Sequence, residues 1–392
     1  MSIVVAILGL AVLVLIHEAG HFFAARAVGM TPRKFYIGFP PPLVKRVRGG
    51  VEYGIGAIPL GGYVKIPGMN RPSPGELAAT LTPDARTEHR AELARLDAAL
   101  GEGDEPAARA ALEELRPALG DTRMWQEQEM ALAPDAYWRQ ATWRRLVAIA
   151  AGPAVNLVFA LVLFAALFLV STTHATNVVG AVEHGTPAQA AHVEAGDRVI
   201  EVAGQKVTPG TLADEIRSTR GRSFRLVVVR HGRRVSLGPL RARLEQGVYR
   251  IGIALDEREG AGESLPAAVR DSASLTWSVT TGTFSGLGDL AAGRDTGDVS
   301  SSVGIVRDSA AAWRQGLREF LAVLGLISLA LGLLNLVPIL PLDGGHIAIA
   351  LVEKLRGRTF PQSVYLRYSI VGMSLFAILM YFGLRNDLFG GS

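Results

Sequence analysis

The sequence predicts a multi-pass α-helical membrane protein with four transmembrane helices, a membrane-associated β-hairpin region after the first, and one α+β domain between the second and third. Three observations carry this. Hydrophobic residues make up 49% of the 392-residue chain and the mean hydropathy is +0.27, high for a soluble protein. Four stretches, Ser2–Val28, Leu146–Ser171, Phe320–Leu340 and Tyr368–Leu384, are apolar at about the 20-residue length that spans a bilayer. Between the second and third lies a run of short alternating segments separated by turn residues.

The first segment (residues 1–30) could pass for a signal peptide, but no Lys or Arg precedes Arg26, so the basic n-region is missing. It is read as a retained transmembrane helix. Within it stands His17-Glu18-Ala19-Gly20-His21. Residues four apart share one face of a helix, so His17 and His21 can both turn a ring nitrogen to one metal ion. Glu18 sits beside the first imidazole, where it can take a proton from the attacking water. Ionisable side chains are costly in an apolar span and rarely idle there. Neutral imidazoles with a carboxylate suit Zn²⁺, and the chain has no cysteine to offer instead.

Residues 31–70 mix Gly, Pro and β-formers. They are expected to form strands at Phe35–Ile37, Val51–Ile58 and Tyr63–Ile66, with a turn at Gly61-Gly62. The run Gly54-Ile55-Gly56-Ala57-Ile58-Pro59-Leu60 is too apolar for a solvated loop, which suggests a hairpin dipping beside the metal with a free edge for a substrate strand.

Residues 71–140 change character. Helical runs are expected near Asp84–Leu100, Pro106–Leu119 and Asp121–Ala131, and acidic residues outnumber basic ones 14 to 7 between Gly75 and Gln140. This argues against docking on an anionic membrane surface and reads as a small cytoplasmic helical insertion, a solvated spacer rather than a regulatory site. The second span (141–175) opens with Gly152-Pro153-Ala154-Val155-Asn156, where Gly152 and Asn156 share a face and are read as helix-packing residues.

The domain at 176–256 is expected to hold strands at Val178–Val182 and on both sides of a turn within 196–207, a helix at Thr211–Thr219 capped by Thr208 or Thr211, and a hairpin of Phe224–Arg230 and Arg233–Leu237 across His231-Gly232. The pattern resembles a PDZ domain, whose groove accepts a peptide as an added strand; a PDZ-shaped spacer without a ligand fits equally. Residues 257–319 form a linker in which Leu265–Leu290 suggests one or two amphipathic helices.

The third span and its exit (320–346) run into Asn335-Leu336-Val337-Pro338-Ile339-Leu340-Pro341-Leu342-Asp343-Gly344-Gly345-His346. Two prolines break the helix, and broken backbone at membrane depth survives only where protein or water covers it. Asp343 is therefore the natural third zinc ligand, with water in the fourth position. His346 is read as a supporting residue, and Asn335 as a donor to a substrate carbonyl or simply an interhelical hydrogen bond. A cytoplasmic loop and the fourth span complete the chain (347–392). Basic residues flanking the spans, Arg33, Lys34, Lys45, Arg46, Arg48, Arg139, Arg144, Arg145, Lys354, Arg356, Arg358 and Arg367, place those flanks in the cytoplasm and both termini outside.

Taken together, His17-Glu18-x-x-His21, Gly152-x-x-x-Asn156, and Asn335-x-x-Pro338-x-x-Pro341-Leu342-Asp343-Gly344 resemble the site-2 protease family. The stretch Gly54 to Lys65 is similar to the membrane-associated β-hairpin of its bacterial RseP-type branch. The resemblance covers all but the insertion at 75–135. It implies a zinc intramembrane endopeptidase of the bacterial inner membrane, with His17, His21 and Asp343 matching the metal ligands, Glu18 the acid/base and Asn335 a substrate-holding residue. It further implies single-pass transmembrane substrates such as anti-sigma factors and remnant signal peptides, trimmed first by another protease. Relatives with two PDZ domains exist; here one is read.

Two other classes are weighed against this. A membrane scaffold with a peptide-binding PDZ domain predicts no stoichiometric zinc. A metal transporter needs a polar path, and the second and fourth spans supply few polar residues. The formal net charge of +4, without a Lys/Arg tract, gives no sign of a nucleic-acid partner.

Overall fold

The computed structural model describes residues 2–120, 122–245, 248–291 and 302–389. It divides into two compact units, one of residues 1–164 with 269–392 and one of residues 165–268.

The first unit opens with α1 (Ser2–Ala27), followed by β1 (Lys34–Arg48) and β2 (Val51–Lys65). β1 and β2 are joined at Gly49-Gly50, with φ of 58° and 77°, while the turn expected at Gly61-Gly62, between strands at Val51–Ile58 and Tyr63–Ile66, does not form. A two-residue loop with both φ positive follows the strand twist, and glycine enters it without strain. Gly61-Gly62 instead lies inside β2. The strands are long and fold back on themselves: residues 34–37 pair with 52–55 on one side and 62–65 on the other, and 44–48 pair with 51–55. Pro40-Pro41-Pro42 marks the bend in β1. The result is a four-segment sheet built from two strands, with residues 58–65 on one edge.

The insertion holds α2 (Pro74–Thr80), α3 (Pro83–Glu88), α4 (Arg90–Glu102), α5 (Glu105–Leu119) and α6 (Arg123–Ala131). The expected helix from Asp84 is thus split at His89, and Asp121, the expected start of the last one, lies outside the described residues. Thr82, Asp104 and Thr122 accept from the N–H of Ala85, Ala107 and Trp125, each satisfying an end donor of its helix. Apolar residues three and four apart, such as Leu93, Leu96 and Leu100 on α4 and Leu112 and Leu115 on α5, form a core of their own with Leu77 and Trp125. The insertion is therefore a packed subdomain with its own core. It is tied to the sheet base: Asp135 takes a fork of bonds from Arg33 at 2.8 and 3.1 Å and another from the Thr31 N–H at 2.9 Å.

After a short 3₁₀ turn at Tyr137–Arg139 comes α7 (Thr142–Val170). The second unit then holds β3 (Ser171–Val182), α8 (Pro187–Ala190), β4 (Arg198–Val202), β5 (Gln205–Lys206), α9 (Leu212–Ser218), β6 (Ser223–Arg230), β7 (Arg233–Arg241), β8 (Arg243–Glu245), β9 (Val248–Arg250) and β10 (Ile253–Ala261). Its sheet runs β10-β3-β4-β6-β7, with β5 paired to β4. Phe224, Leu226 and Val228 alternate inward along β6 and meet Val199 and Val202 of β4 and Leu212 and Ile216 of α9. His231-Gly232, with φ of 50° and 78°, makes the expected two-residue hairpin. Thr211 stands at the start of α9 without a side-chain cap bond; its hydroxyl accepts from the Thr208 N–H instead.

The chain continues through α10 (Leu265–Ala291), α11 (Ser302–Gln315), α12 (Leu317–Asn335), α13 (Asp343–Arg356) and α14 (Gln362–Phe389). Residues 292–301 of the expected linker, and those beyond 389, lie outside the described residues. Among the described residues, four stretches of helix are long and apolar enough to cross a membrane: Ser2–Ala27, Thr142–Val170, Leu317–Asn335 and Ser363–Arg385. The third stops at Asn335, short of the expected Leu340, because Pro338 and Pro341 cannot continue it. Asp343 accordingly sits in the first turn of the next helix. Leu13 of α1 and Phe320 and Leu324 of α12 pack with Phe159 and Leu163 of α7 and Trp313 of α11 into the core of the bundle.

Candidate metal centre

His17 and His21 are 8% and 6% exposed on α1, one turn apart. Asp343 reaches them from the start of α13, where the helix N-terminus favours a carboxylate. Three distances define the cluster. His17 Nε2 and His21 Nε2 are 3.2 Å apart, and each is 3.2 Å from Asp343 Oδ2. A tetrahedral zinc with bonds of about 2.0 Å holds its donors about 3.3 Å from one another. The donor set, two imidazole nitrogens and one carboxylate oxygen, is of the type zinc takes, and Asp343 Oδ2 is a buried atom with no other hydrogen-bond partner. The residues present fit a catalytic zinc with one open position.

Glu18 follows His17 on the same helix, and β2 crosses close to it. A Cβ added to Gly62 would lie 2.9 Å from Glu18 Cγ, so only glycine lets the strand approach that far. Tyr36 and Tyr63 stack across the sheet at 5.2 Å beside this crossing. Glu52 accepts a 2.6 Å bond from the Tyr36 hydroxyl. That bond, with Lys34 adding to it, holds the Glu52 carboxyl below its ordinary value, while burial and Glu52 together push the Tyr36 hydroxyl up to about 12.

The contribution of α7 was not legible in the sequence. It offers no donor to the cluster, yet it touches both imidazoles and ties down the helix that carries the carboxylate. His21 Nδ1 lies 2.9 Å from the Ala148 carbonyl. Donation there leaves the lone pair on Nε2, the atom facing Asp343. Gly152 passes directly under His21: a Cβ on it would fall 2.2 Å from His21 Nε2. Asn156, fully buried, brings its amide to 3.3 Å from His17 Nδ1. Arg145 forms a buried 2.6 Å ion pair with Glu353 of α13. Gly152 and Asn156 were expected only to pack helices, and Arg145 only to mark a cytoplasmic flank. The available signal was an amide within an apolar span, which calls for a polar partner. A backbone carbonyl such as that of Ala148 leaves no trace in sequence.

Two other residues named from the sequence are not among the three donors. Asn335 donates to the Leu331 carbonyl of its own helix at 3.0 Å. The His346 ring lies 6.4 Å from that of Tyr365.

Comparison with known proteins gives the family of the chain. The profile of peptidase family M50 matches residues 5–380. A protein of Agrobacterium fabrum named "Putative zinc metalloprotease" is 29% identical over 98% of this chain and 95% of its own. Proteins given the same name are 30% identical in Brucella suis, over 97% and 93%, and 26% identical in Lactococcus lactis, over 96% and 96%. With its several apolar helices, the chain belongs to peptidase family M50, the site-2 protease family, and is a multi-pass, zinc-dependent membrane metalloprotease.

Proposed function

We propose that this metalloprotease hydrolyses peptide bonds inside transmembrane segments of single-pass proteins, with His17, His21 and Asp343 holding the zinc and Glu18 moving the proton. One observation carries the reading. The three donor atoms, 3.2 Å apart, come from a helix apolar enough to span a membrane and from the helix directly after another. A site built from such helices works on chains that reach it within the bilayer.

Zinc, when bound, polarises the scissile carbonyl and brings the pKa of water close to neutrality. Glu18 takes a proton from the attacking water and passes it to the leaving amine. A substrate helix must unwind first, since its backbone bonds are otherwise spent internally. The segment 58–65 pairs with β1 at the edge of this sheet and is read as the strand beside which the substrate backbone extends. Gly62 brings that segment to Glu18. Asn335 would hold the substrate backbone after releasing the Leu331 carbonyl. The 165–268 unit is read as a PDZ-like domain outside the cytoplasm that turns away substrates with bulky outer domains, so that an upstream protease acts first. Anti-sigma factors and remnant signal peptides are the substrate class, and the bacterial inner membrane, with both chain termini outside, is the location. The basic span flanks and the family resemblance support these last points.

The test is cleavage of candidate single-pass proteins by purified enzyme in liposomes, with and without a zinc chelator. Glu18→Gln is expected to keep its zinc while cleavage falls roughly 10²–10⁴-fold. Cleavage that ignores the chelator, or persists at the unmodified rate in the Gln variant, overturns the reading.

A further inference from the structure

The Asn156 side chain is fully buried on α7, with the atom placed as Nδ2 3.3 Å from His17 Nδ1, an assignment that turning the amide end for end would exchange with Oδ1. Its other amide atom has no hydrogen-bond partner among the described residues. The two ends of a carboxamide are nearly the same size, so their assignment follows from what they meet. Here the surroundings meet only one end, and what they present is His17. The orientation of the amide and the tautomer of the imidazole are therefore one joint choice. If the amide nitrogen faces His17, Nδ1 must be the acceptor, and the ring proton sits on Nε2, pointing into the donor triangle. If the amide oxygen faces His17, Nδ1 carries the proton and the Nε2 lone pair is free.

We propose that Asn156 is a positioning residue for the metal centre: its Oδ1 accepts the His17 Nδ1 proton and so fixes the tautomer that can ligate through Nε2. The inference rests on the proposed role of His17 as a ligand. The backbone around Asn156 is built to hold such a contact. Ser328 of α12, also fully buried, donates its hydroxyl to the Asn156 carbonyl at 3.0 Å, which anchors this point of α7 independently of the side chain. About two turns earlier, the Ala148 carbonyl does for His21 what the Asn156 amide does for His17. Both ligand imidazoles then take their tautomer from the same helix. The difference is that a backbone carbonyl can only accept, whereas the carboxamide accepts only in one of its two orientations.

Three variants test this in the purified full-length enzyme. Asn156→Asp keeps the shape and can only accept; Asn156→Leu keeps the bulk and accepts nothing; Ser328→Ala removes the anchor but leaves the amide. The readouts are zinc affinity by chelator competition and the visible spectrum of the Co²⁺-substituted protein. The Leu variant is expected to bind zinc about 10–100-fold more weakly with an altered Co²⁺ spectrum. The Asp variant should stay within a few-fold of the unmodified enzyme, and Ser328→Ala should leave the spectrum unchanged. Normal zinc affinity and spectrum in the Leu variant overturn the proposal, as does an Asp variant as impaired as the Leu one. If the Leu variant does not fold, the ¹⁵N shifts of the His17 ring in the zinc-loaded unmodified enzyme decide: a proton on Nδ1 supports the proposal, and one on Nε2 overturns it. Failure of the ligand assignment itself is separate, since His17→Ala would then leave zinc affinity unaltered in an otherwise unmodified chain.

Discussion

Arg145 on α7 and Glu353 on α13 meet at 2.6 Å, 5% and 4% exposed. Glu353 also accepts from the Phe360 N–H at 2.7 Å and the Tyr365 hydroxyl at 3.1 Å, and the guanidinium lies over the Tyr137 ring at 4.8 Å. The pair ties α7 to the helix that begins with Asp343. Removing one partner of a buried pair leaves an uncompensated charge, a loss of about 3–5 kcal/mol, whereas replacing both by apolar groups removes most of that penalty. Glu353→Ala is therefore expected to lower unfolding stability in detergent by that amount and to weaken zinc retention. The joint change Arg145→Met with Glu353→Leu should recover part of the stability. An equal loss in the single and joint variants would count against the charge as the cause.

Gly152 supports a second prediction. Its missing side chain leaves the space that the His21 ring occupies, and the helices also close at Gly20, where a Cβ would stand 2.7 Å from the Ala151 carbonyl oxygen. Gly152→Ala must push His21 away from Asp343. Zinc stoichiometry after dialysis against a weak chelator should fall at least about tenfold, in the range seen when supporting contacts to ligands are broken. The same substitution at Gly75, where a Cβ meets nothing within 4 Å, should leave zinc binding alone.

In the second unit, Asp197 is 1% exposed and takes two 2.7 Å bonds from Arg230 and one at 2.9 Å from the Glu194 N–H. Burial alone would raise this carboxyl, but Arg230 and the backbone bond override it and hold it below the usual carboxylate range. A carboxyl lowered by folding stabilises the fold fully above its unfolded value of about 4 and loses that contribution as pH falls through the lowered one. Hydrogen exchange in residues 165–268 should accelerate on acidification below about pH 4. Asp197→Asn should flatten that dependence and cost roughly 1–3 kcal/mol at neutral pH.

The insertion gives a fourth expectation. Asp135 joins it to the sheet base through Arg33 and the Thr31 N–H. Asp135→Ala should release the insertion as a unit, seen as faster proteolysis within residues 71–140, while its helices keep their own core. Unchanged proteolysis would mean that the other contacts at this junction suffice, among them the Tyr137 and Trp138 N–H bonds to the Pro67 and Gly68 carbonyls.

The reach of the sequence follows from the range of the physics. His17 and His21 were legible because helical periodicity relates residues four apart, and Asp343 because two prolines and two glycines announced a broken segment. The four spans were legible from length and apolarity. The turn expected at Gly61-Gly62 does not form because Val51–Lys65 is one strand, and its continuity depends on pairing both of its halves with β1, which no local signal encodes. Asn156, Ala148 and the Arg145–Glu353 pair join elements far apart in the chain, and no local period or spacing encodes such meetings.

The donors of the triangle lie far apart in the sequence, two on α1 and one at Asp343. A nascent chain cut short anywhere before α13 carries a pair of imidazoles and nothing to complete them. The triangle thus closes only once α13 has been made, and a shorter copy lacks the carboxylate that completes it.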